Sequence, residues 1–370
     1  MSYDVAIVGA GIVGAACSAS LSASGLRVLV LESNNIATGA TAAGMGHIVL
    51  MDDSEAQLAL TGYSRSLWNE FAKELPAEAE YEHCGTIWVA ADEGEMAEVR
   101  RKRSVHTEHG AAAEILDAES LRELEPNLRE GLAGGLLVKD DSVVYQLCAT
   151  KFLLERSARY GAAIRTGAKA VKISDGAITL DDGEVILAGV IINAAGTAAA
   201  DLSPQLKIFK RKGHLAITER YPNFVRHQLI ELGYLKSAHG GDTDSVAFNI
   251  QPRSTGQILV GSSRQFGVDD SDIDFDILLR MTSRAFEYMP NLKTLSTVRV
   301  WTGFRPATPD NLPYIGRISG FENVYAACGH EGLGITTSLG TADLLTSAIL
   351  GRKPAIPIEP YLPTRTITEH

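Results

Sequence analysis

The chain has 370 residues, 45% of them hydrophobic, enough for a large core and for two domains. A net charge of −11 argues against a nucleic-acid surface, which needs clustered lysine and arginine; the basic run Arg100 to Arg103 falls in a helical pattern and reads as a solvated face. Cys17, Cys84, Cys148 and Cys328 are scattered without CxxC pairs or Cys/His grouping at metal spacing, so reduced thiols, a cytoplasmic setting and no metal are expected.

Asp4 to Val8 reads as a buried parallel strand, followed by Gly9, Gly11 and Gly14 of a GxGxxG turn and a helix from about Ile12. In that motif the first glycine permits the tight turn, the second lets a pyrophosphate approach the backbone, and the third lets the helix lie close on the sheet. The helix N-terminus then turns unpaired N–H groups toward the phosphates. The next strand, VLVLE, ends on Glu32, whose carboxylate suits the ribose hydroxyls of an adenosine and repels a 2′-phosphate, arguing against NADP. The combination predicts a dinucleotide site and leaves FAD and NAD open.

Ser33 to Ile48 is a run of small residues, too long for a tight turn and too poor in large apolar groups for a core strand; it suits backbone packing against a flat ligand. Helices are expected at Glu55 to Glu74, Met96 to His109, Ala118 to Leu124 and Tyr145 to Tyr160, with a strand at Gly85 to Ala90. Ala168 to Asn193 alternates short strands with SDG and DDG turns and closes on the apolar VIINAAG, a pattern expected in a parallel sheet. From Gly213 to Ser263 the strands HLAIT, VAFNI and QILVGSS predict an antiparallel sheet with one face against a site, and Ile273 to Tyr288 predicts a helix. The last hundred or so residues resume the first domain. No basic n-region precedes a long apolar stretch and no apolar run of about eighteen residues occurs, so neither a signal peptide nor a membrane-spanning helix is expected. No nucleophile elbow or Walker loop appears.

Taken in order, the GxGxxG start with Glu32, VIINAAG (Val190 to Gly196), TGFRPATPDNLPYIG (Thr302 to Gly316) and GHEGLGIT (Gly329 to Thr336) resemble the D-amino acid oxidase family of FAD enzymes. Within it, ATGATAAGMGHIVLMDDS (Ala37 to Ser54) and QILVGSSRQF (Gln257 to Phe266) look like bacterial D-hydroxyproline dehydrogenases and the proline dehydrogenase and opine oxidase beta subunits, with glycine oxidase a further relative. The resemblance implies an α/β (α+β) fold: a discontinuous Rossmann-like FAD-binding domain at 1–80, 145–205 and 300–370, interleaved with an antiparallel-sheet substrate domain at 81–144 and 206–299.

The resemblance also implies non-covalent FAD. Gly9, Gly11, Gly14, Glu32 and Ser33 would hold the ADP portion with backbone from Ala10, Ile12 and Val13. Gly39, Ala40, Thr41, Ala43, Gly44, Met45, Gly46 and His47 would line the pyrophosphate, ribityl chain and ring. Val171, Ala194, Ala195 and Gly196 would meet the adenine end, while Gly303, Arg305 and the turn Gly329, His330, Glu331, Gly332, Leu333, Gly334, Ile335 and Thr336 would close on the flavin. A helix opening near Ile335 would aim its positive end at the ring's N1 and O2 edge, stabilising negative charge there by roughly 0.3 to 1 kcal/mol.

The activity implied is oxidation of the C–N bond of an amino or imino acid by hydride transfer to flavin N5, with D-proline or a hydroxyproline expected as substrate. Alternatives are an oxidase using oxygen on glycine, sarcosine or an opine, and a flavin subunit of a multi-subunit dehydrogenase. The electron acceptor would be a quinone, oxygen or a partner redox subunit, in a homo- or hetero-oligomer, either free in the cytoplasm or peripheral at the inner membrane face. Arg305 would form a two-point pair with the substrate carboxylate; the competing reading is an ion pair with Asp310. Asn249 stands where relatives place a substrate-contacting tyrosine. Arg264 would offer a second cation or brace the sheet, and His47 would lie by the flavin or be an ordinary loop residue. His330 and Glu331 would flank the ring. Trp88 and Trp301 are expected in the core.

Overall fold

A computed structural model describes residues 3–233 and 244–367; the segment 234–243, inside the stretch expected to form the substrate domain, lies outside the described residues. The N-terminal strand Tyr3–Val8 sits at the centre of an eight-stranded sheet, paired in parallel with Val185–Asn193 on one side and Val28–Glu32 on the other. Val324–Cys328 and Ala163–Thr166 extend the parallel run, and Tyr314–Arg317 adds an antiparallel edge. Successive side chains of a strand point to opposite faces. Val5, Ile7, Val28, Val30 and Ile192 therefore pack into one core with the helices Ile12–Ala23, Gln146–Arg159 and Gly334–Ile349. Ala6, Val8, Leu29, Leu31 and Ile191 pack into another, against Ile173, Ile178 and Leu180. Burial on both faces explains why these strands read as unbroken apolar runs.

Within Ala168 to Asn193, the parallel expectation holds for the end alone. Ala170–Ser174 and Ala177–Leu180 form an antiparallel hairpin continuing onto Val185–Asn193, and parallel pairing to Tyr3–Val8 begins beyond it. The short turns allow no crossover helix, which parallel neighbours would need.

The second sheet also has eight strands, in the order Thr297–Ala307, Phe209–Thr218, Ile258–Arg264, Ser245–Pro252, Gln228–Glu231, Thr86–Ala90, Gly134–Val138 and Ala113–Asp117. It is antiparallel except where Gln228–Glu231 meets Thr86–Ala90. One face carries Ile87, Val89, Leu229, Phe248, Ile250 and Val260 against the helix Phe275–Tyr288, with Phe248 stacked on Tyr288 at 4.5 Å between centroids. Sheet membership differs from the expected boundary at residue 300: Thr297–Ala307 pairs along Phe209–Thr218, from Phe209 opposite Ala307 to Thr218 opposite Thr297. GFRP is thus a strand of the second sheet. Its mixture of glycine, arginine and proline hides the strand, and long-range pairing creates it.

Candidate active site

At the nucleotide end the chain is packed backbone against backbone. Gly9 has φ +109°, and a Cβ there would lie 2.4 Å from the Ala194 carbonyl oxygen; a Cβ on Gly14 would lie 2.0 Å from the carbonyl oxygen of Gly9. Only glycine fits at either position without moving main chain. Gly11 has no side chain to cap the helix it opens, and the Thr41 hydroxyl does so instead, accepting from the Ile12 N–H at 3.1 Å. Glu32 is fixed from both oxygens: Oε2 accepts from the Ala10 N–H at 2.9 Å, and Oε1 accepts from the Asn34 N–H at 2.9 Å and from the Ser33 hydroxyl at 3.1 Å. The carboxylate is held in place at the strand end with lone pairs left for a diol.

From this turn a cavity of about 750 Å³ runs past Gly39 to Met45 to the inner face of the second sheet. Its far wall alternates with the buried core face: Trp88, Gln228, Ile230, Asn249, Leu215 and Arg264 face the cavity where Ile87, Leu229 and Phe248 face the helix. Period-two alternation therefore places the polar groups.

Arg305 lines this wall. Its Nη1 donates to the Ser263 carbonyl at 2.9 Å, and its guanidinium lies over Gly213, where a Cβ would come within 2.6 Å of Nη1. The competing pair with Asp310 does not form: Asp310 accepts from Arg365 at 2.7 and 2.8 Å. Arg264 is buried, with Nη2 3.6 Å from Glu331, whose same oxygen lies 3.5 Å from Arg211. Glu331 itself sits at φ +52°, in the turn before the helix Gly334–Ile349.

Burial pushes the His47 imidazole down to about 4, against the opposing pull of the Gln228 and Gln251 side chains and with the help of the Arg305 charge. Burial alone takes His330 down to about 3, and its Nε2 meets the Thr341 hydroxyl at 3.0 Å. Both rings are neutral at pH 7.

Of the residues singled out in the sequence, five lie off the cavity wall: Ala10, Gly14, Gly46, Gly329 and Thr336. Each has a structural task instead. The Ala10 N–H is spent on Glu32, Gly14 lets helix meet turn, and Gly46 turns at φ +103° against the Val144 carbonyl. Gly329 turns at φ +78° beside Thr308, and the Thr336 hydroxyl donates to the His47 carbonyl at 2.8 Å. The others line one cavity, which joins elements as distant in sequence as Gly9 and Arg305.

Sequence reasoning missed Gln228, Ile230, Met51 and Asp53 on the wall; Trp88 lies in the core, as expected, packed with Val49, Val99 and Leu136. Trp88 is 1% exposed and yet lines the cavity, with Lys102 4.4 Å over its ring. The alternation of Gln228–Glu231 was a readable signal, although four residues are too few to separate strand from loop.

The residues fit FAD: a glycine cradle that a Cβ would fill, a fixed carboxylate for the ribose, and a second helix N-terminus, Gly334–Ile349, opening on the cavity without a side-chain cap. Among the described residues, no cluster of three or more His, Cys, Asp or Glu could hold a metal ion, and no helix is long and apolar enough to cross a membrane.

Comparison with known proteins agrees with this reading. The family model described as FAD dependent oxidoreductase (DAO) matches residues 4–348. Glycine oxidase of Geobacillus kaustophilus is 27% identical over 99% of this chain and 97% of its own, and hydrogen cyanide synthase subunit HcnC of Pseudomonas aeruginosa is 25% identical over 98% and 96%. The crystal structure of the Geobacillus kaustophilus glycine oxidase superposes with TM-score 0.89, covering 99% of this chain and 100% of the other at 25% identity. That of L-proline dehydrogenase from P. horikoshii, at 21% identity, shares the fold with TM-score 0.88 over 98% and 97%. With a family model spanning most of its length and a glycine-lined dinucleotide cradle to match, the chain belongs to the DAO family and is a FAD-dependent oxidoreductase.

Proposed function

We propose that this enzyme oxidises the C–N bond of a small amino or imino acid, with D-proline or a hydroxyproline as substrate. The observation that carries the reading is the guanidinium of Arg305 on the cavity wall, anchored by Ser263 and flanked by glycines that leave it room. A planar fork of donors suits a carboxylate in two-point contact. FAD supplies the two-electron acceptor when bound.

The chain's own residues bind, orient and exclude water. Arg305 takes the carboxylate and so fixes where the α-carbon lies, a positioning effect worth several kcal/mol in favourable cases, about 7 or more at the upper end. Trp88, Ile230, Leu215 and Met51 form an apolar wall that keeps water from the reacting carbon. His47, neutral at pH 7, adds no charge beside that carbon and is a weak base, so the substrate amine must lose its proton on its own account. The rate therefore rises with pH through one ionisation, that of the amine; a flat profile between about pH 6 and 10 would sink this account.

The test is anaerobic titration of the yellow holoenzyme with D-proline, L-proline, hydroxyprolines, sarcosine and glycine, following bleaching of the flavin band, then readmission of air. Bleaching by a proline with slow return of colour supports the reading. The kinship with glycine oxidases favours a second one, in which glycine or sarcosine bleaches best and air restores the colour at once.

A further inference from the structure

Behind Arg305 lies a second set of buried polar groups, which the oxidation itself does not use. Gly213 and Leu215 line the cavity, so alternation along Phe209–Thr218 turns His214 to the opposite face, against the helix Phe275–Tyr288. There its ring is buried: Nδ1 lies 3.1 Å from the Ser263 hydroxyl, and Nε2 accepts from the Asp274 N–H at 3.0 Å. Burial, helped by the Lys212 and Arg305 charges and opposed by Asp274, holds the imidazole below its ordinary range, so it is neutral at pH 7. An accepting Nε2 leaves the proton of a neutral ring on Nδ1, which therefore donates to Ser263. Asp274 is itself fixed as the cap of the helix, accepting from the Asp276 and Ile277 N–H groups at 3.0 and 3.1 Å and from Gln265 at 2.9 Å.

Strand register explains why Ser263 needs holding. Between the pair Ala216–Val260 and the bridge Lys212–Gln265, residues 213–215 lie opposite 261–264, so the strand carrying Ser263 has one residue more than its neighbour. Such a bulge takes ladder groups away from their usual partners. The His214 N–H donates to the Ser263 hydroxyl at 2.8 Å rather than to a carbonyl, and the Ser263 carbonyl accepts from Arg305 Nη1 at 2.9 Å. One serine thus joins His214 through its side chain and Arg305 through its main chain.

We propose that His214 is a positioning residue for Arg305: by clamping the Ser263 hydroxyl it holds the Ser263 carbonyl where that carbonyl fixes the guanidinium, and so ties grip on the substrate carboxylate to the capped end of the helix Phe275–Tyr288. This rests on the reading of Arg305 given above. His214 touches no substrate; its effect passes through two hydrogen bonds, and a guanidinium displaced by about 1 Å loses its two-point geometry.

The experiment titrates the holoenzyme with cyclopentanecarboxylate, which has the acid group and no amine to oxidise, and follows the flavin spectrum; FAD content and melting temperature are recorded alongside. His214→Asn keeps an amide N–H near the position of Nδ1 and nothing at Nε2, whereas His214→Gln keeps an acceptor near Nε2 and no donor at Nδ1. The expected result is about tenfold weaker carboxylate binding in His214→Gln and in Ser263→Ala, affinity within about threefold of wild type in His214→Asn, and FAD content unchanged throughout. The two losses share one path, so the His214→Gln, Ser263→Ala double variant should be no weaker than about either single one. Equal weakening in His214→Asn and His214→Gln, or additive losses in the double variant, would overturn the inference by making the ring a support of the fold alone. Should His214→Gln fail to fold, Ser263→Ala against His214→Asn decides in the same way. Carboxylate affinity kept in His214→Gln and Ser263→Ala but lost in Arg305→Leu would overturn the inference and leave the Arg305 reading standing. No carboxylate binding in the wild type, or binding that Arg305→Leu leaves intact, would overturn both.

Discussion

The two ends of the cavity are built from different materials. The nucleotide end is main chain: a turn in which Gly9 and Gly14 touch carbonyl oxygens, a helix N-terminus and one carboxylate held by neighbouring N–H groups, most of it within one short stretch of sequence. The end on the second sheet is side chains: Trp88, Gln228, Asn249, Arg264 and Arg305, each from a different strand. Backbone recognition suits a ligand that never changes, since its donors are insensitive to most substitutions. Side-chain recognition lets one scaffold exchange substrates while the cofactor stays, because replacing a wall residue leaves the strand beneath it intact.

This division makes four predictions in descending order of size. Arg305→Leu should lower kcat/KM by about 10³ while FAD stays bound, since truncating one partner of a desolvated charge pair costs about 2 to 5 kcal/mol; loss of yellow colour in this variant would erase the distinction between the two ends. Gly14→Ala should do the opposite, weakening FAD by about 10²-fold, in line with about 1 to 3 kcal/mol for an overpacked contact. Its added Cβ meets a carbonyl that cannot move, and fluorescence titration of released flavin measures the effect.

Gly213→Ala is a finer probe. Its Cβ would press on the Arg305 guanidinium rather than on main chain, so we expect about tenfold lower kcat/KM, carried by KM, with an unchanged FAD spectrum. A variant as active as wild type would show that Arg305 acts from another position. The smallest effect concerns acid stability. His330 is held neutral by burial, at about 3 against 6.5, so the unfolded chain binds its proton more readily. Its contribution is fully present above about pH 6.5 and is lost progressively as pH falls toward the folded value. The melting temperature of His330→Gln should therefore approach that of wild type as pH is lowered from 7 to about 4.5, and a constant difference would contradict the buried neutral ring.

Legibility followed the same division. The glycine turn, Glu32 and the small-residue run could be read because their constraints are local: a tight turn, a strand end and a flat packing surface each demand particular residues at adjacent positions. Arg305 was legible through a motif, but its strand was not, because a glycine- and proline-containing segment becomes a strand through ten paired positions along Phe209–Thr218. Gln228 and Ile230 were missed as wall residues since nothing in a short strand says which of its two faces meets a ligand.

By itself, the order of residues determined the glycine turn, the acid at the following strand end, the buried parallel strands and the presence of a second, antiparallel layer, all features set by contacts between near neighbours or by side-chain periodicity. Only the tertiary structure decided that Thr297–Ala307 joins the second sheet, that Asp310 is engaged by Arg365, and that Gln228 and Asn249 come onto the cavity wall. Those outcomes depend on which strands, far apart in the chain, come to lie side by side, and a strand's inner and outer faces acquire their meaning only when a neighbour covers one of them.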